Sequence, residues 1–147
     1  MRIAVAVSLD RVRIPLSQEF VAQVARAVLR AEKVRDAMVS VTFVSTPAIT
    51  RLNKRHLRRD RPTDVIAFGF RRVTRRAPVV GDVYIAPDVA RAAAAAHRIT
   101  VREELVRLIV HGTLHVLGYE HPESDARDTS RMWRRQERLV TRLKQRS

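Results

Sequence analysis

The sequence has no cysteine, only four glycines and few aromatic residues. The lack of cysteine excludes disulfides, cysteine-ligated zinc sites and thiol nucleophiles. Long apolar runs are also missing, and the N-terminal stretch 3–7 is shorter than a signal-peptide core of about 7–15 residues or a membrane span of ~20. We therefore predict a cytoplasmic protein with no membrane association and no disulfide partner.

Acidic residues are also scarce relative to basic ones. The formal net charge of the 147 residues is +14, and 26 of the 29 basic residues are arginine. This excess favours a polyanionic partner such as nucleic acid, because each neutralised phosphate releases bound counterions. A general preference for arginine, combined with a need for solubility, would give the same charge.

Hydrophobic periodicity predicts one α+β domain over residues 1–147, with a four-stranded sheet packed by about five helices. The expected order is β α β α β β α α α. Helices are predicted at 16–34, at 46–56, from Pro87, from the Thr100 capping box through Leu117, and at 124–145. Strands are predicted at 2–8, 38–45, 65–68 and 79–86.

The stretch "HGTLHVLGYEH", residues 111–121, holds three of the five histidines. His111 and His115 are four residues apart on a predicted helix, so their side chains lie on one face. Gly118 can end the helix and let the chain turn back, which would bring His121 to the same point. Three neutral imidazoles that leave a fourth position open are typical of a catalytic zinc site. Two core histidines on an apolar helix face are the alternative.

This spacing also matches the metzincin peptidase pattern H-E-x-x-H-x-x-G-x-x-H at each ligand and at its glycine. The exception is Gly112, which replaces the glutamate that serves as general base in those peptidases. The usual route to peptide hydrolysis is therefore missing. We expect Gly112→Glu to create no useful protease activity and to weaken RNA cleavage by placing a carboxylate beside the metal.

Three segments resemble the YbeY family of bacterial rRNA maturation endoribonucleases. They are "HGTLHVLGYEH" (111–121), "RPTDVIAF" (61–68) and "GDVYIA" (81–86). The resemblance implies a zincin-like fold and one Zn²⁺ per chain on His111, His115 and His121. It also implies cleavage of single-stranded RNA, processing of the 16S rRNA 3′ end, and ribosome quality control with rRNA and the ribosome as partners.

The chain departs from this family at one position. The family's L-N-x-x-Y-R-G-x-D stretch reads "LNKRHLRRD" here, so Leu57 stands at the place of an arginine implicated in activity. Arg58 and Arg59 are candidates to supply that charge and to bind substrate. The general base stays unassigned, although Glu120 is the acidic residue nearest to the predicted ligands, and Asp64 and Asp82 are candidates to orient a histidine N–H.

Three functions stay open at this point. The first is a zinc-dependent single-strand endoribonuclease. The second is a metallopeptidase, which Gly112 and the positive charge disfavour. The third is a ribosome assembly factor without catalytic activity, whose zinc is structural. All-histidine ligation suits zinc and also tolerates nickel, copper or iron.

Overall fold

A computed structural model of the chain describes residues 2–57, 63–119 and 131–146. The predicted α+β order is confirmed, with four strands and five helices within these residues. The elements are β1 (Ile3–Leu9), α1 (Gln18–Ala31), β2 (Ala37–Phe43), α2 (Thr46–Leu57), β3 (Val65–Gly69), β4 (Val79–Ile85), α3 (Pro87–His97), α4 (Val101–Val116) and α5 (Arg131–Leu143). Helix α1 is shorter than predicted at both ends, and the predicted start of the last helix, 124–130, lies outside the described residues.

The strands form one sheet in the order β1-β2-β4-β3. The pairs β1–β2 and β2–β4 are parallel, whereas β3 runs antiparallel to β4. Parallel neighbours need a long crossover connection, and α1 provides it between β1 and β2. Strand β3 lies at the end of this order, so its residues border the connection 70–78 that leads into β4.

The main hydrophobic core lies between the sheet and helices α1, α4 and α5. Alternate residues of β2 and β4 are buried, as expected for strands whose side chains point to opposite faces in turn. Helix α1 contributes apolar residues at helical spacing, and Ser17 caps its start by accepting a hydrogen bond from the Phe20 N–H at 3.0 Å. A smaller cluster of Val44, Ile49, Ile66 and Ala86 lies on the α2 side.

Helix α4 carries two of the three predicted metal ligands, His111 and His115, and both of its ends follow from the sequence. Thr100 accepts a hydrogen bond from the Glu103 N–H at 3.0 Å, as a capping threonine should. At the other end the N–H groups of Gly118 and Tyr119 donate to the carbonyls of His115 (2.9 Å) and Leu114 (3.1 Å). Gly118 has φ +101°, which confirms the predicted left-handed glycine turn.

No helix among residues 2–57, 63–119 and 131–146 is long and apolar enough to cross a bilayer.

Candidate metal centre and substrate cleft

His111 and His115 lie side by side in the last two turns of α4. Their ring centroids are 4.6 Å apart and the ring planes meet at 67°. Both side chains are half-buried, whereas their helix neighbours Val110 and Leu114 are fully buried in the core. The predicted placement on one face of the helix is therefore confirmed.

A cleft of about 380 Å³ opens next to this pair. It lies between the end of α4 and the chain that leaves β3. The residues that line it include His115, Gly69, Phe70, Arg71, Arg72 and Tyr119. Phe70 is 63% exposed, which is unusual for a large apolar side chain. The cleft thus combines an imidazole, two guanidinium groups and an accessible aromatic ring.

Gly112 lies on a different side of α4 from the histidines, against the sheet. A Cβ at this position would lie 2.5 Å from Val83 Cγ1, which is closer than real Cβ contacts allow. The expectation that a glutamate here would stand beside the metal is therefore wrong, because position 112 faces β4 rather than the cleft. Glycine is needed there so that the helix can approach the sheet closely.

The Nδ1 atom of His111 lies 2.8 Å from Oε1 of Gln136, on α5. Gln136 is only 2% exposed and stands among the apolar residues of that helix. Its Nε2 donates to Oε2 of Glu137 at 3.0 Å. A histidine that binds a metal usually has its second ring nitrogen fixed in this way by a hydrogen-bond acceptor.

Arg107, one turn before His111, anchors the other end of this chain of contacts. Its Nε and Nη2 donate to the two carboxylate oxygens of Glu137, both at 2.9 Å. It also bonds Glu103 at 3.1 Å and Glu104 at 3.2 Å. Burial alone would raise the pKa of Glu137, but the hydrogen bonds from Arg107 and Gln136 outweigh it and hold that pKa below its ordinary value. Glu137 is thus ionised at neutral pH.

Of the two aspartates that were proposed to orient a histidine, one is excluded and the other stays a candidate. Asp82 accepts a hydrogen bond from the Ser40 hydroxyl at 2.6 Å. Gly81 and Val83 face α4, so the alternation of β4 directs Asp82 to the opposite side of the sheet, and its predicted role is wrong. Asp64 stays a candidate, and burial raises its pKa.

Several predicted site residues lie outside the described part of the chain. These are His121, Arg58, Arg59 and Glu120, and the same holds for the side chain of Leu57. Within residues 2–57, 63–119 and 131–146, no third His, Asp or Glu completes a three-ligand cluster. The structure therefore brings together two of the three predicted metal ligands. Imidazole nitrogens suit a divalent ion such as zinc.

Two residues of the site were missed by sequence reasoning. Gln136 falls at helical spacing within the buried stripe of α5, where it is the polar member of an otherwise apolar set. That position was a usable signal, because a buried amide needs partners. Phe70 gave no signal, since one phenylalanine after a strand is ordinarily a core residue.

Two sequence comparisons with known proteins relate this chain to a family. The model of the endoribonuclease YbeY family matches residues 7–144. A relative named endoribonuclease YbeY from Syntrophotalea carbinolica is 32% identical over 133 residues, with 88% of this chain and 89% of the relative covered. Another of that name from Desulfitobacterium hafniense is 35% identical, with 82% and 80% covered.

Among solved structures, the fold is similar to a solution structure of a Thermotoga maritima protein. The TM-score is 0.61 at 23% identity, with 95% of this chain and 88% of the other covered. The family model spans the chain from the end of β1 to α5, including the helix that carries both histidines and the strands that border the cleft. This chain belongs to the YbeY endoribonuclease family.

Proposed function

We propose that this chain is a metal-dependent endoribonuclease that cleaves single-stranded RNA, with residues 1–147 acting as one domain. One zinc ion per chain would be held by His111, His115 and His121. The observation that carries the proposal is the imidazole pair, 4.6 Å apart, at a cleft lined by Arg71 and Arg72 in a chain of the YbeY family.

A bound zinc would supply concentrated positive charge to a phosphodiester. The chain's own residues would do the rest. Arg71 and Arg72 can bind backbone phosphates, since guanidinium groups match phosphate oxygens in a bidentate manner. Gln136 contacts the ring of His111, with its Oε1 atom 2.8 Å from Nδ1. No residue described so far is assigned as the general base.

Phe70 supports a single strand rather than a duplex as the substrate. Its ring is 63% exposed and lines the same cleft as His115. Bases stack on aromatic rings when their faces are accessible, and in a duplex those faces are covered by neighbouring base pairs. A stacking residue beside the metal ligands therefore favours unpaired RNA.

The family and the charge support a finer proposal for the biological role. We propose maturation of the 16S rRNA 3′ end and ribosome quality control in the cytoplasm, with rRNA and the ribosome as partners. The net charge of +14 supports binding to so dense a polyanion. Arg58 and Arg59 as further phosphate contacts stay a prediction.

The packing of Gly112 against Val83 argues against a metallopeptidase. The place of the peptidase glutamate is taken by a contact between helix and sheet. No observation favours the metallopeptidase. The third function, an assembly factor with a structural zinc, is distinguished by the test below.

The proposal is tested by removing one ligand. His115→Ala should lose the stoichiometric zinc of the parent and lower the rate of RNA cleavage by about 100-fold or more, because the charge next to the phosphate is lost. The measurements are metal content after dialysis and cleavage of a labelled single-stranded RNA. Casein serves as the peptidase substrate.

The matched control is His97→Ala. His97 ends α3, and its Nδ1 lies 2.8 Å from the Ala93 carbonyl of the same helix. This variant should keep both zinc and activity. Full zinc content in His115→Ala would overturn the ligand assignment. If the parent cleaves casein and not RNA, the peptidase is favoured. If it cleaves neither and binds ribosomes tightly, the assembly factor is favoured.

A further inference from the structure

Gln136 has a buried side-chain amide. Its oxygen lies next to a histidine ring nitrogen, and its nitrogen lies next to a carboxylate oxygen. Its side chain is 2% exposed, between α5 and α4. Oε1 lies 2.8 Å from His111 Nδ1, and Nε2 lies 3.0 Å from a carboxylate oxygen of Glu137. A buried amide with both ends engaged is held in one orientation, since turning it over would break both contacts.

Arg107 and Glu137 determine the orientation of this amide. Arg107 donates two hydrogen bonds to Glu137, and an ionised carboxylate only accepts. The amide NH₂ of Gln136 must therefore face Glu137, which turns its carbonyl oxygen towards His111. A carbonyl oxygen also only accepts, so His111 Nδ1 must carry the proton.

We propose that Gln136 is a positioning residue that holds His111 in the Nδ1-protonated tautomer, so that Nε2 is the atom presented to the metal. This inference rests on the proposed function, because it concerns the same metal. A neutral imidazole has one donor nitrogen and one acceptor nitrogen, and fixing the donor fixes the acceptor. Arg107 and Glu137 act through Gln136 and do not touch the ring.

The experiment replaces Gln136 by a residue of similar size that cannot accept a hydrogen bond. Gln136→Leu should bind zinc about 10- to 100-fold more weakly than the parent, as is typical when a partner of a metal-ligating histidine is lost. Zinc affinity is measured by competition with a chromophoric chelator. In the metal-free protein, nitrogen NMR of the His111 ring should show protonated Nδ1 in the parent and a mixture of tautomers in Gln136→Leu.

A charge-neutral exchange provides the rescue. In the double variant Gln136→Glu with Glu137→Gln, the carboxylate at 136 can accept from His111 Nδ1, and the amide at 137 can donate to that carboxylate while accepting from Arg107. The order of donors and acceptors is kept, so zinc affinity should return to within a few-fold of the parent. A residue that merely fills space would not be rescued in this way.

The outcomes separate this inference from the proposed function. Parent-like zinc affinity in Gln136→Leu, or an unprotonated His111 Nδ1 in the parent, would overturn the inference while leaving the endoribonuclease intact. Failure of the double variant to regain affinity, when thermal unfolding shows it folded, would do the same. A parent that binds no zinc would overturn the proposed function, and the inference with it.

Discussion

The two sides of the histidine pair are built differently. On the interior side, Gln136, Glu137 and Arg107 fix His111 through contacts of 2.8 to 3.0 Å between two packed helices. On the cleft side, His115 borders Phe70 and the arginines that follow it, which are exposed. The interior side restricts one ring to one orientation, as a metal ligand requires. The cleft side leaves side chains exposed to solvent, which makes them accessible to a substrate.

The largest effect should be a loss of stability when Arg107, on the interior side of the histidine pair, is replaced. Arg107→Leu leaves Glu103, Glu104 and Glu137 without their shared cation, and these side chains are only 10–30% exposed. Removing one partner of such a partly buried cluster should cost about 2–3 kcal/mol of unfolding free energy, because the remaining charges stay partly desolvated. Urea denaturation at neutral pH measures this loss. Zinc affinity should fall as well, since Glu137 would no longer be held.

The control is an ion pair outside the interior side. Arg91 and Asp88 on α3 are in contact at 2.5 Å, but their side chains are 41% and 67% exposed. Arg91→Leu should therefore cost less than about 1 kcal/mol. Equal losses in the two variants would remove the distinction between a buried network and an ordinary surface pair.

On the cleft side we expect weaker RNA binding with no loss of stability. Phe70→Ala should reduce the affinity for a short single-stranded RNA by about 1–3 kcal/mol, the usual contribution of one stacked base. Its thermal unfolding should match the parent, because the ring is not part of the core. Val73→Ala is the matched control, since Val73 is 94% exposed and does not line the cleft.

The salt dependence of RNA affinity distinguishes the contribution of base stacking from that of phosphate contacts on the cleft side. Arg71→Ala should reduce the slope of log K against log[salt] by about 0.7, the value for one phosphate contact on a single strand. Phe70→Ala should leave that slope unchanged. If Arg71→Ala and the parent gave parallel lines, Arg71 would contact no phosphate, and the cleft would bind RNA by its aromatic ring and metal alone.

The smallest effect is a pH dependence that belongs to the interior side. The pKa of Glu137 is held below its usual value, and the same holds for Glu103, whose bonds to Arg107 and Lys144 outweigh the effect of burial. A lowered carboxyl pKa gives stability that is present above the unfolded value of about 4.5 and is lost as the pH falls through the folded value. Glu137→Gln should therefore show a shallower loss of stability below pH 4.5 in urea titrations. If stability fell with pH in the same way in Glu137→Gln and the parent, Arg107 would not lower the pKa of Glu137.

Sequence reasoning predicted the element order and the helix that carries His111 and His115, because periodicity, the Thr100 cap and the Gly118 turn are local signals. It did not predict the contacts between side chains of different helices. The contact of Gln136 with His111 joins residues 25 positions apart, and their partnership depends on how α5 crosses α4. The proposed role of Asp82 in orienting a histidine was wrong because the face of β4 that meets α4 follows from packing and not from the alternation itself.

Gly112 constrains the evolutionary routes open to this chain. Some glycine codons become glutamate codons by a single base substitution, so the peptidase motif H-E-x-x-H is a short mutational step away. That step meets the Val83 side chain, which lies 2.5 Å from where a Cβ would be. A lineage would first have to shorten Val83 and only then change the glycine. Two motifs that are near neighbours in the genetic code are thereby separated by a close contact between α4 and β4, because Val83 has to change before position 112 can accept a side chain.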